Sequence, residues 1–142
     1  SHTYDDRVNT IKNAKAIGLN VCSGGIFGLG ETIEDRIDMA FDLKKLKVNS
    51  VPINILTPIP GTPFENNKAV EPLEILKTIS IYRFIMPKTH LRYAGGRIKL
   101  GNYVKTGLKC GINSALTGNF LTTTGTTIEK DKNMVTELGY KI

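Results

Sequence analysis

Leu19-Asn20-Val21-Cys22-Ser23-Gly24-Gly25-Ile26-Phe27-Gly28-Leu29-Gly30-Glu31-Thr32-Ile33-Glu34-Asp35 holds a strand, a loop and the start of a helix in seventeen residues. Leu19 to Ser23 reads as a short buried strand, and a glycine-rich loop runs on to Glu31. Thr32 then opens a helix. Asp35 stands three residues after it, at the spacing of a capping box. Ile33, Ile37, Ala40 and Phe41 give that helix an apolar stripe, and Lys44 charges its end. Strand, loop and amphipathic helix form one unit of a parallel α/β fold.

The same unit recurs outward from this stretch. Upstream, Thr3-Tyr4-Asp5-Asp6 repeats the capping spacing, and Tyr4, Val8, Ile11 and Ala14 follow at helical intervals until Gly18. Downstream, Val51 to Leu56 is a second strand, followed by the proline-rich loop Thr57-Pro58-Ile59-Pro60-Gly61-Thr62-Pro63. Pro72 suits the first position of a helix that runs to about Met86, where Pro87 stops it. Leu91 to Ala94 is a third strand, broken by Gly95-Gly96-Arg97. Tyr103 to Asn113 reads as a helix despite Gly107 and Gly111. Ala115 to Phe120 holds a fourth strand, and Ile128 to Leu138 closes the chain as a helix.

The order α(βα)₄ predicts a parallel sheet with helical crossovers, covered on both faces. Four such units make a small open α/β domain or half of an eightfold barrel of about 250 residues. Nothing reads as a linker, so residues 1–142 are expected to be a single domain.

Composition sets outer bounds. Of 142 residues, 40% are hydrophobic and 23% charged, as in ordinary globular chains. No apolar run approaches the ~20 residues that span a bilayer. The first residues are polar and acidic, unlike a secretory signal, so a cytoplasmic location is expected. The net charge of +6 is scattered among acids, with no arginine stripe interleaved with aromatics. Neither a nucleic acid nor a membrane partner is expected. The two cysteines, Cys22 and Cys110, form no disulfide framework and are assigned to chemistry or packing.

Ligands of parallel α/β folds bind at the C-terminal ends of strands, and three strand ends are unusual. The run from Cys22 to Glu31 lets backbone approach a ligand closely. It lacks the third glycine of a dinucleotide fingerprint and the Gly-Lys-Ser/Thr of a P-loop. Cys22 reads as a buried core thiol or as a soft metal ligand. Asn54 interrupts the apolar strand Val51-Pro52-Ile53-Asn54-Ile55-Leu56. It needs partners for both ends of its amide, from a polar substrate or from neighbouring backbone. Arg92 lies within a strand, where a guanidinium must be paired. A salt bridge, an anion or a metal cluster would serve. Arg97, after two glycines, is expected to reach a loop carboxylate.

Other residues read plainly. His2 and His90 are surface or edge residues, and Cys110 packs on a helix. Glu31, Glu34 and Asp35 suit a helix N-terminus. No carboxylate pair stands out as an acid/base couple.

Taken in order, Val-Cys-Ser-Gly-Gly-Ile-x-Gly-Leu-Gly-Glu-Thr, Val-Pro-Ile-Asn-x-Leu and Arg-x-x-x-Gly-Arg resemble the biotin synthase family of radical S-adenosylmethionine enzymes. The likeness runs along essentially the whole chain. It includes Asp35-Arg36, Gly61-Thr62-Pro63 and Leu121-Thr122-Thr123. The first run is the specific one.

The resemblance implies the C-terminal half of a TIM-type (βα)₈ barrel, made of the helix after strand four and then units five to eight. It implies that Cys22 and Arg92 are ligands of a [2Fe–2S] cluster and that Asn54 contacts dethiobiotin. Arg7, Ile26 and Thr57 match positions near S-adenosylmethionine. The activity implied is sulfur insertion into dethiobiotin. A [4Fe–4S] cluster would cleave S-adenosylmethionine to a 5′-deoxyadenosyl radical, which abstracts hydrogen. Sulfide of the [2Fe–2S] cluster would then attack the carbon radical. A flavodoxin or ferredoxin donor and a full-length homodimer are also implied.

One departure matters. The family's Cys-x₃-Cys-x₂-Cys motif and its two other [2Fe–2S] cysteines are absent. The chain is therefore expected to be a catalytically inert fragment with open sheet edges. A hydrogenase-maturase or thiazole-synthesis relative, and a stand-alone ligand-binding α/β module, are the alternatives.

Overall fold

The structure, a computed structural model, describes residues 2–119 and 125–141. Its elements run α1 (Tyr4–Ala16), β1 (Gly25–Phe27), α2 (Ile33–Lys45), β2 (Ser50–Ile55), α3 (Pro72–Ile85), β3 (His90–Tyr93), α4 (Val104–Cys110), β4 (Ser114–Ala115) and α5 (Ile128–Glu137). A 3₁₀ segment at Arg97–Tyr103, kinked at Gly101, precedes α4. The helix expected over Tyr103 to Asn113 is thus shorter, because Tyr103 belongs to the 3₁₀ segment and Gly111 ends the helix.

Local chemistry explains the helix ends. Thr3 and Thr32 cap α1 and α2, and Asp6 and Asp35 close both capping boxes. Pro72 occupies the start of α3, where its missing N–H costs nothing. Near the end of α3, Arg83 holds the turn into β3. Its Nη1 donates to the carbonyls of Met86, Pro87 and Thr89, and its Nε and Nη2 donate to that of Gly111.

The four strands lie in sequence order, β1-β2-β3-β4, and every pair is parallel. The first strand is not where periodicity puts it. Cys22 pairs with Ser50 as an isolated bridge, and regular pairing resumes only at Gly25 opposite Ile53. Both pairs share one register, so the gap is not a slip. Ser50 faces β1, donating to Val21 O and accepting from Ser23 N. Pro52 lies two residues on and faces the same way. It has no N–H to give, so the ladder breaks there. Close approach accounts for the glycine pair: a Cβ on Gly24 would strike Pro52, and one on Gly25 would strike Met39.

The core lies on one face of the sheet. Phe27, Val51, Ile53, Ile55, Leu91 and Tyr93 point to it and meet Ala40 and Leu43 of α2 and Ile75, Ile79 and Tyr82 of α3, all buried. Each large apolar side chain so buried contributes about 1.5–3 kcal/mol. The rings of Phe27 and Tyr82 meet edge to face at 6.0 Å. The expected covering of both faces is not found. Among the described residues the second face carries no packed helix, and its side chains alternate with the core: Cys22, Ile26, Ser50, Pro52, Asn54, His90, Arg92 and Ser114. The fourth strand is two residues long rather than reaching Phe120, which lies outside the described residues, as does Leu121-Thr122-Thr123.

Candidate functional site on the open face of the sheet

Strand alternation places four of the residues singled out above, Cys22, Ile26, Asn54 and Arg92, on the open face. Arg92 Nη2 lies 2.6 Å from Cys22 Sγ, across β2. Cys22 is exposed. Arg92 Nε is buried without a hydrogen-bond partner among the described residues. No ion pair to a carboxylate is found for Arg92 there, so the salt-bridge reading does not hold among them.

Asn54 is held at both ends. Its Nδ2 donates to Gly25 O at 3.2 Å, and its Oδ1 accepts from Gly95 N at 2.9 Å. The backbone alternative is thus realised. One amide hydrogen and one lone pair remain for a ligand.

Arg7 and Ile26, with Asn54, line one cavity of about 500 Å³ between α1, β1 and α2. Thr57 is apart from them. It lines a cavity of about 400 Å³ with Gly96 and Arg97. Among the described residues no three His, Cys, Asp or Glu side chains gather as a metal site.

Two charged clusters that sequence reading missed hold the loops around this face. Glu31 does not serve a helix N-terminus. Its carboxylate accepts from Gly28 N at 2.8 Å and Leu29 N at 2.8 Å, folding the turn after β1. Arg36 clamps it at 2.8 Å and reaches Glu74 at 2.5 Å. Burial alone would raise the Glu31 carboxyl, but the Gly28 amide and Arg36 outweigh it and hold it below its usual range. Arg36 itself is 3% exposed and sits over the Phe27 ring, 5.2 Å from its centre. Asn67 completes the turn by donating to Gly28 O.

The second cluster joins Arg97 to α5. Arg97 reaches not a loop carboxylate but Asp131 in the first turn of that helix, at 2.5 Å, and also Thr126. Glu31 and Arg36 are only five residues apart, but Arg36–Glu74 and Arg97–Asp131 close through tertiary packing that no local spacing announces. Cys110 is half-buried against the core, as its helical position suggests.

The biotin and thiamin synthesis associated domain (BATS) matches residues 52–141. The chain belongs to the BATS domain family. This BATS-domain chain is 81% identical over all its 142 residues to a biotin synthase of Fusobacterium nucleatum, covering 39% of that protein. It is 63% identical to one of Campylobacter hominis, over 99% of the chain and 43% of that protein. The chain thus spans about two fifths of the length of the curated relatives it matches.

Among solved structures, the BATS-domain chain resembles the FeFe-hydrogenase maturase HydG of Carboxydothermus hydrogenoformans. The TM-score is 0.70 at 18% identity, over 97% of this chain and 36% of that one. It also resembles the HMG-CoA lyase of Brucella melitensis, with a TM-score of 0.68 at 15% identity, over 96% and 51% of the two chains. These likenesses concern the fold: parallel strands alternating with helices. Among the described residues no helix is long and apolar enough to cross a membrane.

Proposed function

We propose that this chain is part of a biotin synthase and forms one wall of the chamber in which sulfur enters dethiobiotin. The observation that carries this is the meeting of Cys22 and Arg92 on the open face that also holds Ile26 and Asn54. Residues 1–142 act as a single domain in this reading, half of a larger barrel.

The donor set suits an iron–sulfur group. A soft thiol and a guanidinium with a free buried nitrogen share one spot, and no carboxylate competes for the arginine among the described residues. Cys22 and Arg92 would hold a [2Fe–2S] group on one side, its remaining ligands coming from elsewhere in the longer protein. When bound, the iron–sulfur groups supply the sulfur and, with S-adenosylmethionine, the radical.

This chain's own residues bind and orient. Asn54, fixed by Gly25 and Gly95, offers one donor and one acceptor to a polar substrate group. Arg7 and Ile26 border the space proposed for S-adenosylmethionine, the arginine by charge and the isoleucine by apolar contact. Thr57 would meet that ligand from the next strand end. A flavodoxin- or ferredoxin-type donor, a homodimeric assembly and a cytoplasmic setting belong to the same reading.

The test is anaerobic conversion of dethiobiotin to biotin by the full-length protein that carries this sequence. Cys22→Ala is expected to abolish product. Turnover by that variant at the parental rate sinks the assignment. The 142-residue chain alone is expected to be inert and, given iron and sulfide, to develop no stable cluster absorbance.

A further inference from the structure

Three helices end alike and differ at one position. In α1, α2 and α5 the residue after the helix cap donates back to a carbonyl of the last turn, and its successor donates across the whole turn. This closure requires the left-handed region. Gly18 (φ 83) and Gly139 (φ 79) supply it for α1 and α5, but α2 uses Lys47 (φ 52). Lys47 is the one non-glycine residue with positive φ among the described residues. A side chain there is strained, and such strain persists where something else depends on it.

Lys47 lines a hollow of about 600 Å³ at the N-terminal ends of β2 and β3. Lys44, Lys88 and His90 line it too, and no carboxylate does. Asn49 draws in a further cation. Its Oδ1 accepts from Val21 N at 2.9 Å and from Lys15 Nζ at 3.1 Å, so what its amide can still offer is a donor. Preference of lysine for a helix C-terminus accounts for Lys44. It does not account for a left-handed lysine where two sister turns have glycine, nor for Lys88 arriving from another loop.

We propose that this hollow binds a compact polyanion of the phosphate class: inorganic triphosphate or the phosphate tail of a nucleotide. Its volume lies within the ~300–1,000 Å³ of small-molecule sites. Lysines serve phosphate as point charges that need no planar fork. The site uses none of the residues assigned to sulfur insertion and stands independently of that assignment.

Titration calorimetry of the full chain with inorganic triphosphate tests it, together with amide chemical-shift mapping. One saturable site is expected, with shifts confined to the segments Lys15–Val21, Lys44–Ser50 and Met86–His90, and binding weakening as salt rises. Lys88→Gln and Lys47→Gly should each weaken binding about fivefold to tenfold. Lys47→Gly should at the same time raise the melting temperature, which separates lost binding from lost folding. ATP binding as tightly as triphosphate supports the phosphate chain as the ligand, and tighter ATP binding supports a nucleotide. No saturable binding, affinity unchanged in both variants, or preferred binding of a single-stranded oligonucleotide indifferent to both substitutions overturns the proposal.

Discussion

Arg92 and Cys22 are 70 residues apart in sequence, yet the arginine's Nη2 lies 2.6 Å from the cysteine's sulfur on a sheet face that no helix covers among the described residues. The guanidinium there keeps Nε buried without a partner. That arrangement costs stability rather than adding to it. Arg92→Met should therefore leave the chain as stable, or stabilise it by about 1 kcal/mol, because a buried unpaired donor is replaced by apolar volume. Urea denaturation of the two chains measures this. A loss above about 3 kcal/mol would instead mark Arg92 as a structural ion-pair member.

Asp131 links stability to pH. Burial alone would raise its carboxyl, but hydrogen bonds from Arg97, Thr117 and Thr126 outweigh that and hold it below its ordinary 3.8. A carboxyl depressed in the folded state adds stability above its unfolded pKa and loses it as pH falls through the folded one. The chain should thus lose stability as pH drops below about 4. Asp131→Asn should be less stable at neutral pH and flatter over that acid range. Melting temperatures from pH 3 to 7, bracketing the ordinary carboxylate range, provide the check.

Gly107 is predicted to tolerate no side chain. A Cβ there would run into the Tyr93 ring and hydroxyl, whose O–H donates to Val104 O at 3.1 Å. Gly107→Ala gains helix propensity of about 1 kcal/mol but overpacks a filled site, which costs about 1–3 kcal/mol. The net expectation is destabilisation, and Tyr93→Phe should relieve part of it. Equal denaturation midpoints for the parent and Gly107→Ala would contradict the packing described here.

Lys47→Gly should stabilise the chain by up to about 1 kcal/mol, since the left-handed conformation burdens a side chain more than glycine's extra entropy does. Gly18→Ala, at the equivalent turn of α1, should cost about as much. Paired thermal melts of these two variants should move in opposite directions.

Much of this was legible in the sequence because it is local. Capping boxes at Thr3 and Thr32, Pro72 at a helix start and Gly18 past a helix end each act within a turn or so. Strands β2 and β3 were legible from alternation and apolar content. The first strand was displaced because its ladder depends on Pro52, nearly thirty residues away, which has no hydrogen to lend. Comparable distances hid the Arg36–Glu74 and Arg97–Asp131 pairs. Cys22, Asn54 and Arg92 were visible one by one as misfits, but only strand register shows that they face the same way.

Strand β2 carries two duties on alternate residues. Val51, Ile53 and Ile55 build the core, while Ser50, Pro52 and Asn54 face the open side. A slip of one residue would exchange the two sets and bury an amide and a hydroxyl in place of three aliphatic side chains. Such a chain would not hold together. Folding thus proofreads the open face: any molecule stable enough to persist already presents Asn54 outward, so a check on stability is also a check on which side chains that face displays.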